Sequence, residues 1–590
     1  MNKHLILICL SVVISILLFS QAFSLTAAPN SESTPPDIRK SYGVWDRSGD
    51  YSIEQFPFLK GTAISIKWSD FESQKGQYNW ELINTILQKT AQSNQYVYLQ
   101  LNIGPDSPEW IYENGVPKVE VNAIDKNNGS EEKFSHYPYY LSPFYLQLLN
   151  NTITAIGDYV YALENQAFDR IAFIQVVTGC TGDEVAYKGT PIDSKFKIDD
   201  EQWQAYRLQV FEMYRQNFQR PSGSKYLLFN DVDQAQFPEE HDWVMNNVNY
   251  IGQKGYVLPR GYNLTNMASF VNEVRNNTFH TPDRVILSRA EMDQTWSKGF
   301  FMLNLPMNVY WSTLNALHGG LGVWDVSASI LDEKKNPNLK RIIPYFEFFN
   351  LYAGDVVPET AKGGFIAFHK GLDVSDTRSY PEKKFGIAKQ DNQKRYLAIC
   401  RAFSAYGARM DDVKGATLGQ VKQRDQLKGF NDCGWDIPNS NYERFITQIE
   451  PDITDQPLWR VGGKITKTSP AYSRFARSFS SKHKKNAIYL NVDDRFYNSM
   501  SNSIQTSFKV KIIYLDQGKG SFSLVYDAKD NPQKTAVNIK KGNSRLWKEK
   551  IVTIEDAAFL NRGTKASDLS LVNTDSENDI FHMVEIRKIQ

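Results

Sequence analysis

The fold is most clearly indicated by residues 170–184, whose sequence is RIAFIQVVTGCTGDE. Residues 170–177 form an apolar run of the kind that predicts a buried β-strand. Small residues follow at once, and the stretch ends on the acidic pair Asp183 and Glu184. In a parallel β/α barrel, the residues just past the C-terminal end of a strand line the functional mouth. The pattern therefore predicts a barrel strand followed by a candidate site, with an ordinary charged surface loop as the alternative.

Similar units recur between about residues 41 and 350. Further strands are predicted at 61–68, 96–102, 225–230, 284–288 and 320–324, and helical patterns lie near 82–87, 143–164, 200–219 and 338–350. Alternating strands and helices of this size are typical of α/β proteins with a parallel sheet. About eight strands over residues 38–355 fit a (β/α)8 TIM barrel. A doubly wound open sheet is the alternative, but no Gly-rich phosphate loop follows the first strand.

The remainder of the chain predicts two further units. Residues 356–480 combine polar loops and glycines and are expected to form a subdomain that packs on the barrel. Residues 487–590 are β-rich and predict a C-terminal β-sandwich. Within it, apolar residues alternate in 508–514 and 522–526, which predicts two half-buried strands joined by a tight turn at 516–520. We expect the sandwich to brace the barrel, with sugar binding as the alternative role.

The N-terminal residues 1–24 predict a secretory signal peptide. A short basic segment precedes an apolar run at 5–19, and small residues suited to cleavage follow at 22–28. An uncleaved anchor helix is the alternative, and no later stretch is long enough to span a membrane. The mature protein is therefore expected in the periplasm or outside the cell. That compartment allows one disulfide, with Cys400–Cys433 as the favoured pair, although the sequence does not prove it.

Composition narrows the classes of function. The 590 residues are 41% hydrophobic and 23% charged, which predicts two to four globular units and excludes a largely disordered chain. The 67 basic and 66 acidic residues give a net charge of +1, so no basic field favours nucleic acid. HExxH, CxxC and GxxxxGK[ST] motifs are absent and the eight histidines are scattered, so neither a metal nor a cofactor is expected. The 13% aromatic content suits stacking on sugars, or a large core.

A second carboxylate occupies a position like that of Glu184. Glu291 lies just beyond the predicted strand 284–288, and counting strands places Glu184 after strand four and Glu291 after strand seven. Carboxylates that follow two strands of one barrel point into the same mouth. Glycoside hydrolysis needs two such groups: an acid that protonates the leaving oxygen and a carboxylate that attacks or activates water. The pair therefore predicts a glycoside hydrolase acting on a carbohydrate substrate.

Two sequence motifs resemble those of clan A glycoside hydrolases. WSDFESQKGQYNW at 68–80 resembles the second-strand signature of the clan, and Pro108-Glu-Trp110 resembles the segment after its third strand. The nearest likeness is to the family 42 β-galactosidase type. This resemblance implies that Glu184 is the acid/base and Glu291 the nucleophile of a retaining enzyme. It also implies a galactose-containing substrate with β-linkages.

The chain departs from the clan pattern immediately before Glu184. The clan usually has asparagine at this position, where it contacts a sugar 2-hydroxyl, whereas this chain has Asp183. An ionised aspartate accepts such a hydrogen bond but cannot donate one, and its charge would raise the pKa of Glu184. The substitution favours an outlying family, such as family 167, which acts on carrageenan-type galactans. A sulfated galactan is therefore among the expected substrates.

Other residues near predicted strand ends are candidates for sugar contact. The predicted substrate-binding residues are Trp45, Arg47, Trp110, Gln175, Asp183, Asn230, Trp296 and Trp324. For each tryptophan the alternative is a place in the barrel core. Arg47, Lys67 and Arg289 either bind a sulfate or carboxylate of the sugar or pair with acidic residues.

Two alternative functions remain open. One is a non-catalytic carbohydrate-binding protein with a barrel fold. The other is an inverting glycosidase that uses Asp231 or Asp293 in place of one glutamate. The sequence fixes neither the sugar, the mode of cleavage nor the oligomeric state.

Overall fold

The computed structural model describes residues 37–123, 136–180, 185–234, 236–257, 267–279, 284–292, 294–297, 304–370, 377, 380–388, 394–395, 398, 440–459, 461–462, 466–497 and 507–589. The predicted signal peptide, Asp183, Glu184, Asp293 and both cysteines of the favoured disulfide lie outside these residues. Within them, no helix has the length and apolar character needed to cross a membrane.

Eight parallel strands close into a barrel. They are β1 (Gly43–Asp46), β2 (Gly61–Lys67), β3 (Tyr96–Asn102), β4 (Ile171–Gln175), β5 (Tyr226–Asn230), β6 (Ile251–Val257), β7 (Leu287–Met292) and β8 (Val323–Val326). Each strand pairs with the next in sequence, and β8 pairs with β1 to close the ring. The predicted (β/α)8 TIM barrel is therefore confirmed.

Seven longer helices follow strands β2 to β8. They are α1 (Glu81–Ser93), α2 (Pro143–Ala162), α3 (Asp200–Phe218), α4 (Pro238–Asn247), α5 (Met267–Phe279), α6 (Leu305–His318) and α7 (Leu339–Tyr352). The connection from β1 to β2 contains only bends and turns. Helix α3 begins with a capping box, because Asp199 and Gln202 each accept a hydrogen bond from the other's backbone N–H. Asn304 caps α6 by accepting from the N–H of Met307.

Shorter elements lie outside this scheme. The short helices among the described residues include Trp68–Phe71, Trp110–Glu113, Asn165–Arg170, Ala328–Leu331, Glu382–Phe385 and Asp494–Tyr497. Strands Lys118–Ala123, His136–Pro138 and Gly189–Pro191 form a small antiparallel sheet, and Gln219–Arg220 pairs with Gly223–Ser224. The small sheet uses residues that follow β3 and β4, so it lies beside the C-terminal end of the barrel.

Aromatic side chains fill the lower lumen of the barrel. The ring of Trp45 lies 5.9 Å from that of Tyr98 and 5.4 Å from that of Phe173. The indole N–H donates to the backbone oxygen of Ser41, which precedes β1, so the ring lies toward the N-terminal end. Gly61 gives the indole its space, because a Cβ built on Gly61 would lie 2.6–2.7 Å from three atoms of the indole ring.

We expect Gly61→Ala to lower the free energy of unfolding by about 1–3 kcal/mol, because the new methyl group overpacks a filled lumen. Chemical denaturation followed by tryptophan fluorescence measures the change. Trp45→Phe removes part of the obstructing ring, so the penalty of Gly61→Ala should be smaller in that background. An equal penalty in both backgrounds would contradict the proposed clash.

The C-terminal part of the chain forms two antiparallel sheets. Their strands are β9 (Gly363–Ala367), β10 (Tyr442–Arg444), β11 (Ile446–Ile449), β12 (Gln456–Trp459), β13 (Phe475–Ser478), β14 (Ala487–Val492), β15 (Phe508–Leu515), β16 (Ser521–Tyr526), β17 (Lys534–Lys540), β18 (Trp547–Ile554), β19 (Leu569–Asn573) and β20 (Ile580–Lys588). The seven-stranded sheet has the order β10-β9-β20-β13-β12, with β15 pairing to both β20 and β18. The five-stranded sheet has the order β11-β14-β19-β16-β17.

The two sheets pack face to face, and they cross the predicted domain boundary. Phe581 of β20 lies 4.8 Å from Phe522 of β16, ring to ring, within a core shared by both sheets. Strands from 363–478 pair directly with strands from 508–588, so a division into 356–480 and 487–590 does not match the sheet pairing. The predicted hairpin is also wrong. Strands β15 and β16 belong to different sheets, and residues 516–520 connect the two layers instead.

Helix α6 joins the barrel to the C-terminal sheets. Every residue from Leu305 to His318 is buried. The Trp311 indole donates to the backbone oxygen of Ala471 at 2.8 Å, and Tyr310 shares a 2.6 Å hydrogen bond with His582 of β20. These bonds hold α6 against the C-terminal part of the chain, and the bracing role of the sheets stays a prediction.

Candidate active site

An ionised glutamate lies at the C-terminal end of the barrel. Glu291 belongs to β7, the seventh barrel strand as the strand count predicts, and 18% of its side chain is exposed. One carboxylate oxygen, Oε2, lies 2.9 Å from Nη1 of Arg47, which directly follows β1. The same oxygen lies 3.1 Å from Nζ of Lys254 on β6. Cations from two other strands therefore converge on this carboxylate.

These cations control the charge of Glu291. Burial alone raises the pKa of the carboxyl group, because a buried anion loses hydration. The positive charges of Arg47, Lys254 and Arg289 outweigh burial and hold the pKa well below the usual carboxyl range. Glu291 is therefore anionic at neutral pH. Such a group can act as a nucleophile or stabilise a cation, but it cannot donate a proton.

A buried polar network lies deeper in the lumen. Arg289 of β7 donates from Nε to Oδ2 of Asp325 at 3.1 Å, and its Nη2 contacts the same oxygen. Nη1 of Arg289 donates to Oε1 of Gln175 at 2.7 Å, and Nη2 donates to the Tyr98 hydroxyl at 3.0 Å. Both members of the ion pair are essentially inaccessible to solvent. The network ties β3, β4, β7 and β8 together beneath Glu291.

Gln175 and Asn230 belong to this network. The Gln175 amide donates to Oδ1 of Asn230 and to the backbone oxygen of Leu228, both at 3.2 Å. Gln175 and Asn230 are buried, with 1% and 5% exposure. In the structure these side-chain hydrogen bonds join β4 to β5 inside the lumen. Contact between either side chain and a sugar stays a prediction.

The structure contradicts sugar stacking for three of the predicted tryptophans. Trp45 is enclosed in the lumen, and Trp324 points outward between β8 and α7, with its ring 5.2 Å from Phe346 and 5.4 Å from Phe349. Trp296 is buried and donates to Oγ of Ser329 at 3.1 Å. For these three residues the core alternative is correct, because no ring face is open to a ligand.

Glu72 of the 68–80 motif bonds Trp110 through its backbone and three other residues through its carboxylate. Glu72 accepts from the Trp68 indole at 2.9 Å, from the Thr152 hydroxyl at 2.7 Å and from the Gly76 N–H at 2.8 Å. The half-buried Trp110 donates to the backbone oxygen of Glu72 at 2.7 Å. The motif that carries the family resemblance therefore fixes the loops after β2 and β3 against α2. Sugar contact by Trp110 stays a prediction.

The other predicted cations have acidic partners. Lys67 at the end of β2 lies 3.3 Å from Asp106, which follows β3. Arg289 pairs with Asp325 and Arg47 with Glu291, so the ion-pair alternative describes all three in this structure. Sequence reasoning missed Lys254, Asp106 and the role of Tyr98. A lysine in the run IGQKGYV at 251–257 could have signalled a polar residue facing the lumen.

Asp183 and Glu184 follow the described end of the β4 loop. Residues 176–180 continue from β4, and Cys180 is buried with its thiol 3.8 Å from the Tyr137 hydroxyl. The Cys180 N–H donates to the backbone oxygen of Val185 at 3.2 Å, so the two residues that flank 181–184 are bonded to each other. Asp183 and Glu184 themselves lie outside the described residues, so the acid/base role of Glu184 stays a prediction. Asp231, the inverting candidate, directly follows β5 and has a φ of +49°.

No cluster of metal-binding side chains stands out in the described part of the chain. Groups of three or more histidine, cysteine, aspartate or glutamate residues placed to hold an ion do not occur there.

Comparison with known proteins gives weak similarity only. No family model and no curated protein matches the chain. Among solved structures, xylanase 10B from Thermotoga petrophila RKU-1, in complex with xylobiose, aligns at 10% identity over 54% of this chain and 99% of that chain, with a TM-score of 0.32. β-Galactosidase from the psychrophilic Marinomonas ef1 aligns at 10% identity over 51% and 57%, with a TM-score of 0.33. A glycosylated endo-β-1,4-xylanase from Gloeophyllum trabeum aligns at 9% identity over 52% and 97%, with a TM-score of 0.31. The barrel assignment accordingly rests on the closed strand order.

Proposed function

We propose that this chain is a retaining glycoside hydrolase that cleaves β-linkages in a galactose-containing oligo- or polysaccharide. The observation that carries the proposal is the ionised Glu291 carboxylate at the C-terminal end of β7, held by Arg47 and Lys254. This is the position at which barrel enzymes place catalytic groups. The motif resemblance at 68–80 and 108–110 supports the choice of galactose and of retention.

The proposed mechanism uses two carboxyl groups in two steps. Glu291 attacks the anomeric carbon while Glu184 protonates the leaving oxygen, which forms a glycosyl ester on Glu291. Glu184 then removes a proton from water, and the water displaces Glu291 with net retention. The transition states carry positive charge on the sugar ring, which an anionic Glu291 stabilises. The Arg289–Asp325 pair beneath it would keep β7 and β8 fixed during both steps.

The cations around Glu291 support an acidic substrate. Within the cluster of charges around Glu291, the cations Arg47, Lys254 and Arg289 face the two carboxylates of Glu291 and Asp325, so this cluster carries one excess positive charge. Ion pairing lowers the nucleophilicity of a carboxylate, so at least one pair should loosen when substrate binds. Arg47 is 39% exposed, against 15% for Lys254, and is the better placed to bind a sulfate or carboxylate of the sugar. We therefore include sulfated galactans among the proposed substrates.

We expect Lys254→Gln to move the acidic limb of the kcat/KM profile to higher pH. Lys254 lowers the pKa of Glu291, so removing its charge raises that pKa and the nucleophile becomes protonated at a less acidic pH. The profile of kcat/KM against pH reports ionisations of the free enzyme. Lys67→Gln is the matched control, because Lys67 pairs with Asp106. An acidic limb that shifts equally in both variants would contradict the assignment.

A non-catalytic carbohydrate-binding protein is the second candidate function. It is favoured by the two ion pairs on Glu291, which would hold a carboxylate permanently in a binding site. An inverting glycosidase that uses Asp231 or Asp293 differs in the separation of its carboxyl groups, about 6.5–9.5 Å against about 5–5.5 Å for retention. An inverting enzyme releases a product of the opposite anomeric configuration, whereas a binding protein releases no product.

The function is tested by product analysis on a substrate panel. The panel contains neutral and sulfated galactans together with xylo-, gluco- and manno-oligosaccharides. We expect the mature chain to cleave a galactan, and proton NMR of the first product to show the anomer of the substrate. The opposite anomer would favour the inverting alternative, and binding without cleavage would favour the binding protein.

Export through the N-terminal segment is proposed as well, and N-terminal sequencing of the exported protein tests it.

A further inference from the structure

A cavity lies between the barrel and the C-terminal sheets. Its volume is about 860 Å³, within the range of sites that bind small molecules. It is bounded by the start of α6 at Pro306, the first turns of α7, residues 468–473 and residues 545–547. Helices α6 and α7 begin at the C-terminal end of the barrel, so this part of the cavity lining lies at the same end of the barrel as Glu291. None of its lining residues belongs to the candidate active site.

The cavity combines aromatic rings with positive charge. Tyr345, Tyr472 and Trp547 line it together with Arg341 and Arg545, and no carboxylate is among the lining residues that the structure describes. Both arginines are exposed, and neither has an ion-pair partner among the described side chains. Aromatic faces bind the apolar faces of sugar rings, and guanidinium groups bind sulfate or carboxylate in a bidentate manner. This lining suits an anionic oligosaccharide.

The loop that carries Arg545 and Trp547 is held in an unfavourable backbone conformation. Asn543 and Arg545 have φ values of +60° and +61°, a region that non-glycine residues rarely adopt. The buried Asp516 carboxylate fixes the loop by accepting from the N–H of Gly542 at 2.6 Å and from the N–H and hydroxyl of Ser544 at 3.1 and 2.6 Å. Strained residues that are fixed in this way frequently belong to functional sites.

Hydrogen bonds and ring contacts also fix the aromatic side chains that line the cavity. The Trp547 indole donates to Oγ of Ser473 at 2.9 Å, and Trp547 meets Tyr472 edge to face at 6.0 Å. Tyr472 stacks on His582 at 4.6 Å. The amide of Asn304, at the start of α6, donates to the backbone oxygens of Thr466 and Ser469 at 2.9 Å. The segment that connects β7 to α6 is therefore bonded, at Asn304, to residues beside the cavity. This connects the cavity to the C-terminal end of the barrel.

We propose that this cavity is a second carbohydrate-binding site, which takes a short sulfated galactan segment. The choice of ligand class rests on the proposed function, whereas the cavity and its charge do not. Because the cavity lining and Glu291 lie at the same end of the barrel, a polysaccharide chain bound in the cavity could place one of its ends at Glu291. The site would then raise the affinity for long substrates without touching the reacting bond.

Binding is tested with the full chain carrying Glu291→Gln, so that hydrolysis does not consume the ligand. Isothermal titration compares a sulfated carrageenan tetrasaccharide with uncharged agarotetraose. We expect the sulfated probe to bind the cavity more tightly. Combined Arg341→Gln and Arg545→Gln should weaken that binding about tenfold, since two charge-assisted contacts are lost. Lys340→Gln is the matched control, because Lys340 is 84% exposed and lies outside the cavity lining.

Trp547→Ala should weaken binding of both probes at the cavity, because stacking does not depend on ligand charge. A thermal melt of each variant confirms folding, and the arginine variants test the site even if the tryptophan variant is unstable. Equal affinity of the double arginine variant and its parent, or no binding of the sulfated probe, would overturn the proposal. Hydrolysis by the wild-type chain is measured separately, so failure of the proposed function leaves the binding result intact.

Discussion

Replacing Glu291 by glutamine is expected to lower kcat/KM by about 10⁴-fold or more, a loss of about 5 kcal/mol of transition-state stabilisation. Glutamine keeps the size of the side chain but removes both the nucleophile and the negative charge that faces the developing cation. Arg47 and Lys254 would then face a neutral amide, so the site becomes cationic where the sugar becomes positive. The loss should therefore appear mainly in kcat.

The control for this experiment is Glu113→Gln. Glu113 is exposed after β3 and has no ion pair among the described residues, so its replacement should leave the rate unchanged. A thermal melt of Glu291→Gln separates lost chemistry from lost folding. The carboxylate of Glu291 offsets the charges of Arg47 and Lys254, so we expect some loss of melting temperature in Glu291→Gln, and rates are compared well below the transition of both proteins.

External azide distinguishes the roles of the two carboxyl groups. If Glu291 is the nucleophile, azide should restore activity to Glu291→Ala and give a glycosyl azide of inverted configuration, since azide attacks the face that Glu291 has vacated. Azide on Glu184→Ala should instead give a product of retained configuration, because the ester on Glu291 still forms. Full activity of Glu291→Gln on the cleaved substrate would place the nucleophile elsewhere.

The barrel could be predicted from the sequence because most of its strands are apolar on both faces. Runs such as YVYLQLN at 96–102 and YLLFN at 226–230 lie between the lumen and the helices and admit few polar residues. The sequence pattern does not predict strand β6, because IGQKGYV carries glycine, glutamine and lysine. The sequence predicts a strand at 284–288, whereas β7 runs from Leu287 to Met292. Arg289 and Glu291 look like loop residues until their lumen partners are known.

The direction of a tryptophan side chain could not be predicted, because it depends on a shift of one residue. Trp45 pairs in register with Asp325, and Val44 pairs with Trp324. Residues in register on parallel strands point to the same side of the sheet, so Trp45 and Asp325 share the lumen while Trp324 faces α7. The alternation is clear in the structure, but strands of four residues carry too little pattern to set its phase.

The contacts that define the site join residues far apart in sequence. Arg47 reaches Glu291 across the barrel mouth, and Arg289 reaches Gln175 and Tyr98. Sequence spacing shows which residues end strands, and therefore that they meet at one mouth. It cannot show which cation faces which carboxylate. The same limit explains the C-terminal boundary, because pairing of β9 with β20 brings together residues more than 200 positions apart.

The second large effect is expected for Asp325→Ala, which should lower the free energy of unfolding by about 3–5 kcal/mol. Asp325 is fully buried and is the ion-pair partner of Arg289, which is itself buried. Removing the carboxylate leaves a guanidinium group in the lumen with only neutral partners, Gln175 and Tyr98. We expect the barrel transition in differential scanning calorimetry to fall by at least about 6 °C.

Two matched variants separate loss of charge pairing from loss of packing. Tyr98→Phe removes only the hydroxyl that bonds Arg289 and Asp325, so it should cost about 1 kcal/mol. Combined Arg289→Met and Asp325→Leu removes both charges and should recover much of the loss, because a buried pair replaced by apolar groups of similar volume is often tolerated. If Asp325→Ala costs no more than Tyr98→Phe, the ion pair does not support the barrel.

Asp325→Ala also changes the charge felt by Glu291, in a direction opposite to that of Lys254→Gln. Without Asp325, the positive charge of Arg289 is uncompensated and acts more strongly on Glu291, whose pKa it already lowers. The acidic limb of the kcat/KM profile should therefore move to lower pH in Asp325→Ala and to higher pH in Lys254→Gln. A purely structural role for Asp325 would lower the melting temperature and leave that limb in place. Opposite shifts in the two variants would show that both cations set the ionisation of one carboxylate.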